Sequence, residues 1–394
     1  MRCVGTVVRG IRTPIIKQDD DLASIVVDSL MAAKESENFE FNDRDIVAIT
    51  EAVVGISEGN YVTVDDVAED LKAKFPSKNI GVVNPILSRN RFSIILKGIA
   101  RGMDKITLLT SFPADEVGNG ILDEHILEES EYNLASVISE DEYKKTFSSW
   151  IHPFTGINMI DFYRDLIESE DCEVKFVFSN NIKTILDYTN DILTCDIHTR
   201  EKSTEILSKE GANVYGLYQI LNEPVGDSGY NPKYGLLGSN KATEEKLKLF
   251  PITGQELVEE VQKRLIDLTG KQIEVMVYGD GAFKDPVGKI WELADPVVSP
   301  AHTKGLIGTP NEIKLKYVSD NKFADLKGDE LKEAIKEEIK HKDADLTGQM
   351  ITEGTTPRRL TDLIGSLCDL TSGSGDKGTP VVFIQGYFDN LAND

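Results

Sequence analysis

The chain has 394 residues, 40% of them hydrophobic, and its 67 acidic and 43 basic side chains give a formal net charge of −24. This length exceeds the roughly 100–200 residues of a typical domain, so two or three structural units are expected. A surface this acidic repels nucleic acids and anionic membranes. It also repels nucleotide phosphates unless divalent cations and a local basic pocket help to bind them.

The cysteines and histidines favour neither a disulfide framework nor a zinc site. The four cysteines show no C-x-x-C spacing, and the five histidines share no i, i+4 pair or mixed Cys/His spacing. The first residues show no charged-then-apolar leader pattern, and no apolar run is long enough to cross a bilayer. We therefore expect a cytoplasmic protein with reduced thiols and with neither a membrane nor a nucleic-acid partner.

The first segment, residues 1–77, alternates strand and helix patterns. A strand is predicted over Arg2 to Val8, and a helix begins near Asp21, where apolar residues start to recur at helical spacing. The β-branched run from Asp45 to Val54 predicts a buried strand, and Val64 to Phe75 predicts another helix. This alternation is typical of an α/β domain.

The middle segment, residues 78–215, contains strand patterns but no recognisable motif. Strands are predicted over Asn79 to Val83, Ile106 to Thr110 and Val174 to Phe178. Between the first two strands lies a basic cluster at near-helical spacing, formed by Arg89, Arg91, Lys97 and Arg101. Ion pairs with surface carboxylates are the favoured interpretation of this cluster, and contact with an anionic ligand is the alternative.

The third segment, residues 216–394, again shows clear patterns. Gly216 to Leu221 predicts a strand, followed by a polar loop from Asn222 to Gly229. Thr253 and Glu256 predict a capping box at the start of an amphipathic helix that Gly270 ends. The remaining predictions are a helix over Leu326 to Lys340, a helix capped by Thr356-Pro357, a Ser/Gly-rich loop over Thr371 to Gly378 and a last strand over Pro380 to Gln385.

Two acidic loops in this segment follow predicted strands. One carries Asp227, and the other carries Asp280 and Asp285 after the strand Ile273 to Val277. Short aspartates beside glycine at strand ends are suitable oxygen ligands for Mg²⁺ or Mn²⁺, although a single such loop is more often an ordinary turn. A shared metal site therefore requires the two loops to meet. His302 is the one histidine close to these loops in sequence.

The N-terminal turn resembles the opening of the coenzyme F420-0:γ-glutamyl ligase family. Gly10-Ile11-Arg12-Thr13-Pro14-Ile15-Ile16-Lys17 is followed by Asp19-Asp20-Asp21-Leu22, as in the Gly-(Ile/Leu)-x-x-Pro-(Ile/Leu)-Ile-Lys-x-x-Asp-Asp-Leu run of that family. The resemblance extends to Ser57-Glu58-Gly59, to Asn222 with Asp227, to Leu268-Thr269-Gly270-Lys271 and to Gly378-Thr379-Pro380. It covers about half of the chain, within the two end thirds. It implies a two-lobed α/β fold with mixed sheets, in which the N- and C-terminal segments enclose one cleft.

The resemblance also implies a function. GTP would activate a carboxylate, and the amine of an amino acid such as glutamate would attack it to form an amide, with Mg²⁺ or Mn²⁺ neutralising phosphate charge. The residues that would border the nucleotide are Ile11, Arg12, Thr13, Pro14, Lys17, Thr50 and Glu51. Asp227 and Asp280 would bind the metal, with Asn222, Asp285 and His302 as further candidates. No catalytic side chain is implied, and a homodimer is expected.

The sequence departs from the family pattern at two places. Ile56 stands where the family's Ser-Lys-Ala-Glu-Gly turn has a nucleotide-contacting lysine, and Gly279-Asp280-Gly281 replaces an Asp-Thr pair. Two alternatives therefore stand beside the ligase. One is a non-catalytic relative that binds an anionic metabolite, and the other is a metal-dependent phosphate-ester hydrolase.

Overall fold

The computed structural model describes residues 3–153, 155–281, 295–352, 358–372 and 376–393. The strands are β1 (Val7–Ile11), β2 (Ile46–Thr50), β3 (Tyr61–Thr63), β4 (Asn79–Val83), β5 (Lys105–Thr110), β6 (Ile138–Ser139), β7 (Glu173–Phe178), β8 (Asp191–Thr194), β9 (Asn213–Gly216), β10 (Asn240–Lys241), β11 (Lys246–Lys248), β12 (Glu274–Tyr278), β13 (Ala301–His302) and β14 (Val381–Gln385). The α-helices are α1 (Leu22–Glu37), α2 (Glu51–Glu58), α3 (Val64–Lys74), α4 (Phe92–Gly102), α5 (Glu124–Glu129), α6 (Glu140–Thr146), α7 (Met159–Glu168), α8 (Arg200–Lys209), α9 (Gly254–Thr269), α10 (Leu315–Asn321), α11 (Gly328–Lys340) and α12 (Leu360–Ser372).

A five-stranded mixed sheet joins the two ends of the chain. Its order is β1-β14-β2-β12-β13, with β2 and β12 parallel and the other pairs antiparallel. Because β14 runs against both of its neighbours, the carboxyl ends of β1, β2 and β12 lie beside the amino end of β14. The strands predicted in the third segment over Ile273 to Val277 and Pro380 to Gln385 are confirmed as β12 and β14.

Both faces of this sheet are buried, which explains the continuous apolar runs in its central strands. On one face, Val47 and Ile49 pack in a core with α1 and α9. On the other, Ile46 and Ala48 pack with Ile364 of α12 and its neighbours. The sheet is therefore a central layer, and polar side chains that could form a site must lie at the ends of its strands.

A six-stranded sheet is formed between Asn79 and Gly216. Its order is β6-β7-β5-β4-β8-β9, and every pair is parallel except β6 with β7. Helices α3, α4 and α7 contribute to the core on one face, whereas α8 and a 3₁₀ turn cover the other. The three strands predicted in this region are confirmed, as is the α/β class with mixed sheets.

Two smaller units complete the described structure. Strands β10, β11 and β3 form a three-stranded antiparallel sheet, whose Val62 and Leu247 join the core of the six-stranded sheet. Helices α10 and α11 contribute to a separate small core around Val318 and Ile335. Helix α11 corresponds to the helix predicted over Leu326 to Lys340.

Four predicted elements differ from the structure. The first strand is Val7–Ile11 because pairing with β14 fixes its register. The run from Asp45 to Val54 is divided between β2 and α2, since tertiary packing overrides the strand preference of its valines. After β9 ends at Gly216, residues Leu217–Gln219 form a 3₁₀ turn. Helix α12 includes Thr371 and Ser372, which are predicted to begin the Ser/Gly-rich loop; residues 373–375 of that loop and Thr356-Pro357 lie outside the described residues.

The start of α9 also differs from the predicted capping box. Thr253 makes no side-chain hydrogen bond to the first turn of its own helix. Instead, the backbone N–H groups of Ile252 and Thr253 donate to the Glu58 carboxylate at 3.0 and 2.7 Å, and the Thr253 hydroxyl donates to it at 2.6 Å. A carboxylate from α2 thus caps α9 and complements its dipole. Gly270 ends α9 in the left-handed conformation, as predicted.

Candidate active site

A pocket of about 440 Å³ opens at the ends of the five-stranded sheet. It is lined by the turn after β1, the junction of β2 with α2, the residues that follow β12 and those that precede β14. The antiparallel placement of β14 brings these four segments together, although they are distant in sequence. The pocket therefore lies where the N- and C-terminal parts of the chain meet.

Several predicted site residues line this pocket, namely Thr13, Pro14, Thr50, Glu51 and Asp280. The backbone at Thr50 has an extended conformation, and its side chain makes no capping hydrogen bond to α2. The first turn of a helix carries N–H groups without intrahelical partners and a partial positive charge. The start of α2 thus offers an anion a favourable position in the pocket wall.

Other predicted residues lie elsewhere. Ile11 is buried and Arg12 is exposed, and both border an open groove between β1 and α1. Lys17 is exposed, and its backbone N–H donates to Asp20 at 2.7 Å. These residues lie close to Thr13 and Pro14 in sequence, but among the described residues they do not line the pocket.

The second predicted metal loop is also outside the described pocket lining. Asp227 is exposed and Asn222 is half-buried, in a loop attached to β3 through the Gly229 N–H and the Tyr61 carbonyl. His302 is half-buried on β13, with its Nδ1 3.1 Å from the Thr303 carbonyl. Asp285 lies outside the described residues. A metal site shared by Asp227 and Asp280 stays a prediction.

Arg91 occupies the centre of the charge network beside the pocket. Its Nη2 donates to Oδ2 of Asp280 at 2.6 Å, and its Nη1 donates to Oδ1 of Asp295 at 2.7 Å. The Asp295 side chain is fully buried, and its Oδ2 accepts the Asp280 backbone N–H at 2.7 Å. Burial alone would lower the pKa of Arg91, but the two carboxylates outweigh it and raise that pKa. Arg91 therefore stays charged and links the six-stranded sheet region to the pocket.

Glu51 and Lys248 form a second buried pair. Lys248 Nζ lies 3.3 Å from Glu51 Oε2 and donates to the Ala52 carbonyl at 3.1 Å. Burial raises the pKa of Glu51, and nearby Asp295 adds to this effect, whereas Lys248 opposes it. The pair keeps one acidic group and one basic group at the start of α2.

Asp369 of α12 adds another carboxylate to the pocket wall. Its Oδ2 accepts the Gly281 N–H at 2.9 Å. Burial raises the pKa of Asp369, and the negative charge of Asp295 adds to the shift. The pocket lining thus includes three carboxylates, from Glu51, Asp280 and Asp369, with Arg91 and Lys248 behind it.

Sequence reasoning missed Asp295, Asp369 and Lys248 as members of this site, and treated Arg91 as a surface ion-pairing residue. The ion pairs predicted for the basic cluster are found at Lys97 and Arg101, whereas the carboxylate partners of Arg91 are largely buried and not on the surface. No sequence signal distinguishes these positions, since each comes from a different element. Asp369, for example, follows Cys368 in an ordinary amphipathic helix.

The donor set suits a hard cation in part. Three carboxylates supply the oxygen atoms that Mg²⁺ and Mn²⁺ prefer, and Mg²⁺ usually combines one or two carboxylates with substrate phosphates. In the described part of the chain, however, no group of three or more His, Cys, Asp or Glu residues could hold a metal by itself. The residues therefore fit a cation that a bound phosphate helps to hold.

Fold and pocket together define an α/β protein with a carboxylate-lined pocket at the ends of a mixed sheet. The sequence matches the family F420-0:Gamma-glutamyl ligase over residues 10–386, so the chain belongs to this family and is a ligase-like protein. The match includes the middle segment, where no motif was recognised. A search of curated proteins finds no match. None of the described helices has the length and apolar character needed to cross a membrane.

Proposed function

We propose that the chain is a nucleotide- and metal-dependent ligase that joins an amino acid such as glutamate to a carboxylate activated by GTP. The observation that supports this most is the pocket itself, where Thr13 and Pro14, the start of α2 and Asp280 converge. The family match supports a ligase in general. The use of GTP and the requirement for a metal ion are parts of the proposal that go beyond this match.

The reaction has two steps. An oxygen of the substrate carboxylate attacks the γ-phosphorus of GTP, and GDP leaves, giving an acyl phosphate. The amine nitrogen then attacks the acyl carbon, inorganic phosphate leaves, and the nitrogen loses a proton to form the amide. Both steps require alignment of the reactants more than a strong protein nucleophile.

The chain's own residues supply that alignment. The backbone N–H groups in the first turn of α2 donate hydrogen bonds to phosphate oxygens. Asp280 and Asp369, together with phosphate oxygens, would hold Mg²⁺ or Mn²⁺, which when bound neutralises phosphate charge and orients the transferred group. Ile56 lines the same pocket, so the position of the family's lysine contributes no charge here.

Isothermal titration calorimetry with GTP and ATP, with and without Mn²⁺, tests the proposal. We expect saturable binding that requires Mn²⁺, and about tenfold or greater weakening in Asp280→Asn, the scale on which metal sites respond to such changes. Asp227→Asn is the matched comparison in the second acidic loop. An equal loss in that variant would include Asp227 in the metal site, and wild-type affinity would exclude it.

The alternatives predict different results. Binding of Mn²⁺ without nucleotide would favour the phosphate-ester hydrolase or the metabolite-binding relative. Binding of neither would refute the proposed function. Amide formation itself is measured by GDP release that depends on both an acid and an amino acid.

A further inference from the structure

The six-stranded sheet has the reversal of strand order that marks the ligand-binding crevice of doubly wound folds. From β4 the chain adds β5 and β7 on one side, and then returns to add β8 and β9 on the other side. In open α/β sheets of this kind, ligands bind in the crevice at the carboxyl ends of the strands where the order reverses. Here that crevice lies between the loops that follow β4 and β8.

A small cavity occupies this crevice. Ile86 from the loop after β4 and Cys195 and Ile197 from the loop after β8 line it, and Phe92 at the start of α4 also contributes. Its volume is about 30 Å³, and its wall is mostly apolar. A methyl or hydroxymethyl group fits such a space, whereas an aromatic ring does not.

One polar group in the cavity wall has no partner. Ser239 is 1% exposed, and its hydroxyl makes no hydrogen bond within the described structure. Buried hydroxyl groups are normally satisfied, because leaving one unpaired costs stability. A ligand atom or a water in the cavity would supply the missing hydrogen bond.

Arg91 connects this cavity to the candidate active site. It lines the cavity, and its Nη2 pairs with Asp280, which lines the pocket at the end of the five-stranded sheet. The cavity and the pocket therefore lie on the two sides of one ion pair. A ligase needs this proximity, because its two reactants must be held next to each other.

We propose that the crevice binds one of the two reactants of the ligase, a carboxylic acid with a small side group. The carboxylate of this acid replaces Asp280 as the acceptor of the hydrogen bond from Nη2 of Arg91. Nη1 of Arg91 continues to donate to buried Asp295. The small side group enters the cavity beside Ser239. The statement that this ligand is a reactant rests on the proposed function. Binding of the acid can be tested without nucleotide.

Ligand-observed NMR titration with propionate, L-alanine and L-phenylalanine tests the site. The two small acids should bind, and L-phenylalanine should bind at least about tenfold more weakly, since its ring cannot enter the cavity. Arg91→Lys should weaken binding of propionate about tenfold, because lysine lacks the planar fork of donors. Ser239→Val should also weaken it by filling the cavity, while Ser239→Ala separates the effect of the hydroxyl from that of volume.

Asp280→Asn gives the sharpest result. Removing the competing charge frees Arg91, so propionate should bind about tenfold more tightly, as expected when a charge-assisted hydrogen bond is exchanged for a neutral one. Lys105→Met, at the amino end of β5 and so at the opposite end of the strands from the crevice, is the control and should leave the affinity unchanged. Circular dichroism verifies folding of every variant.

Two results would overturn the inference. One is the absence of binding by either small acid, which would leave the cavity as a water site only. The other is acid binding that Asp280→Asn and Arg91→Lys do not change. Loss of GTP binding with acid binding intact would instead refute the nucleotide-dependent function and leave the acid site standing.

Discussion

Removal of Arg91 should destabilise the protein far more than removal of an exposed cation with equally short contacts. Arg91 Nη1 lies 2.7 Å from Asp295 Oδ1, and the two side chains are 20% and 0% exposed. At a charge separation of roughly 4 Å and an effective dielectric constant of about 20, their attraction is about 4 kcal/mol. Arg91→Met leaves Asp295 buried without its counter-ion and should cost about 3–5 kcal/mol.

A double-mutant cycle measures this interaction directly. Urea unfolding followed by circular dichroism would be compared for Arg91→Met, Asp295→Asn and the double variant. Because the double variant leaves neither of these two charges unpaired, its cost should fall short of the sum by about 2–4 kcal/mol.

The pair between Lys105 and Glu173 is the matched control. It is also short, at 2.6 Å, but its side chains are 39% and 67% exposed. Its coupling energy should not exceed about 1 kcal/mol. Equal coupling energies for the two pairs would refute the argument that burial gives the Arg91 network its strength.

Three further predictions concern other charged groups. Hydrogen bonds from Arg101 and a neighbouring lysine lower the pKa of Glu245 to about 2, so its stabilisation is complete above its ordinary pKa of 4.5 and is lost as pH falls from 4.5 toward 2. Because the Glu245 side chain is 52% exposed, solvent screening should limit this stabilisation to about 1 kcal/mol or less. In thermal melts, Glu245→Gln should lose less stability than the wild-type protein over that pH range. A variant with the same pH profile as the wild-type protein would contradict the assignment. Burial raises the pKa of Asp369, so this proposed metal ligand loses negative charge as pH falls toward the raised pKa. Mn²⁺-dependent GTP binding, measured by calorimetry, should therefore weaken as pH falls in the wild-type protein and depend less on pH in Asp369→Asn; equal pH dependence in the two proteins would count against Asp369 as a ligand. Glu58→Gln should lower the stability of the protein by about 1 kcal/mol because the start of α9 loses a charged cap, whereas Glu69→Gln, at an exposed position, should leave the melting temperature unchanged.

Much of the local structure could be predicted from the sequence. Apolar spacing located α1 and α9, the β-branched runs located the central strands, and Gly270 marked a helix end. These features depend on interactions among neighbours in the chain, which periodicity reports directly. The motif at Thr13 and Pro14 likewise indicated a segment that lines the pocket.

The assembly of the site depends on long-range packing and could not be predicted from the sequence. The pairing of β1 with β14 brings the two ends of the chain together, and Arg91, Asp295 and Asp369 reach the site from three separate regions. The β-branched run after Asp45 became part strand and part helix for a similar reason. Long-range strand pairing and buried charge pairs depend on the packing of distant segments, and local sequence patterns carry no record of which segments will meet.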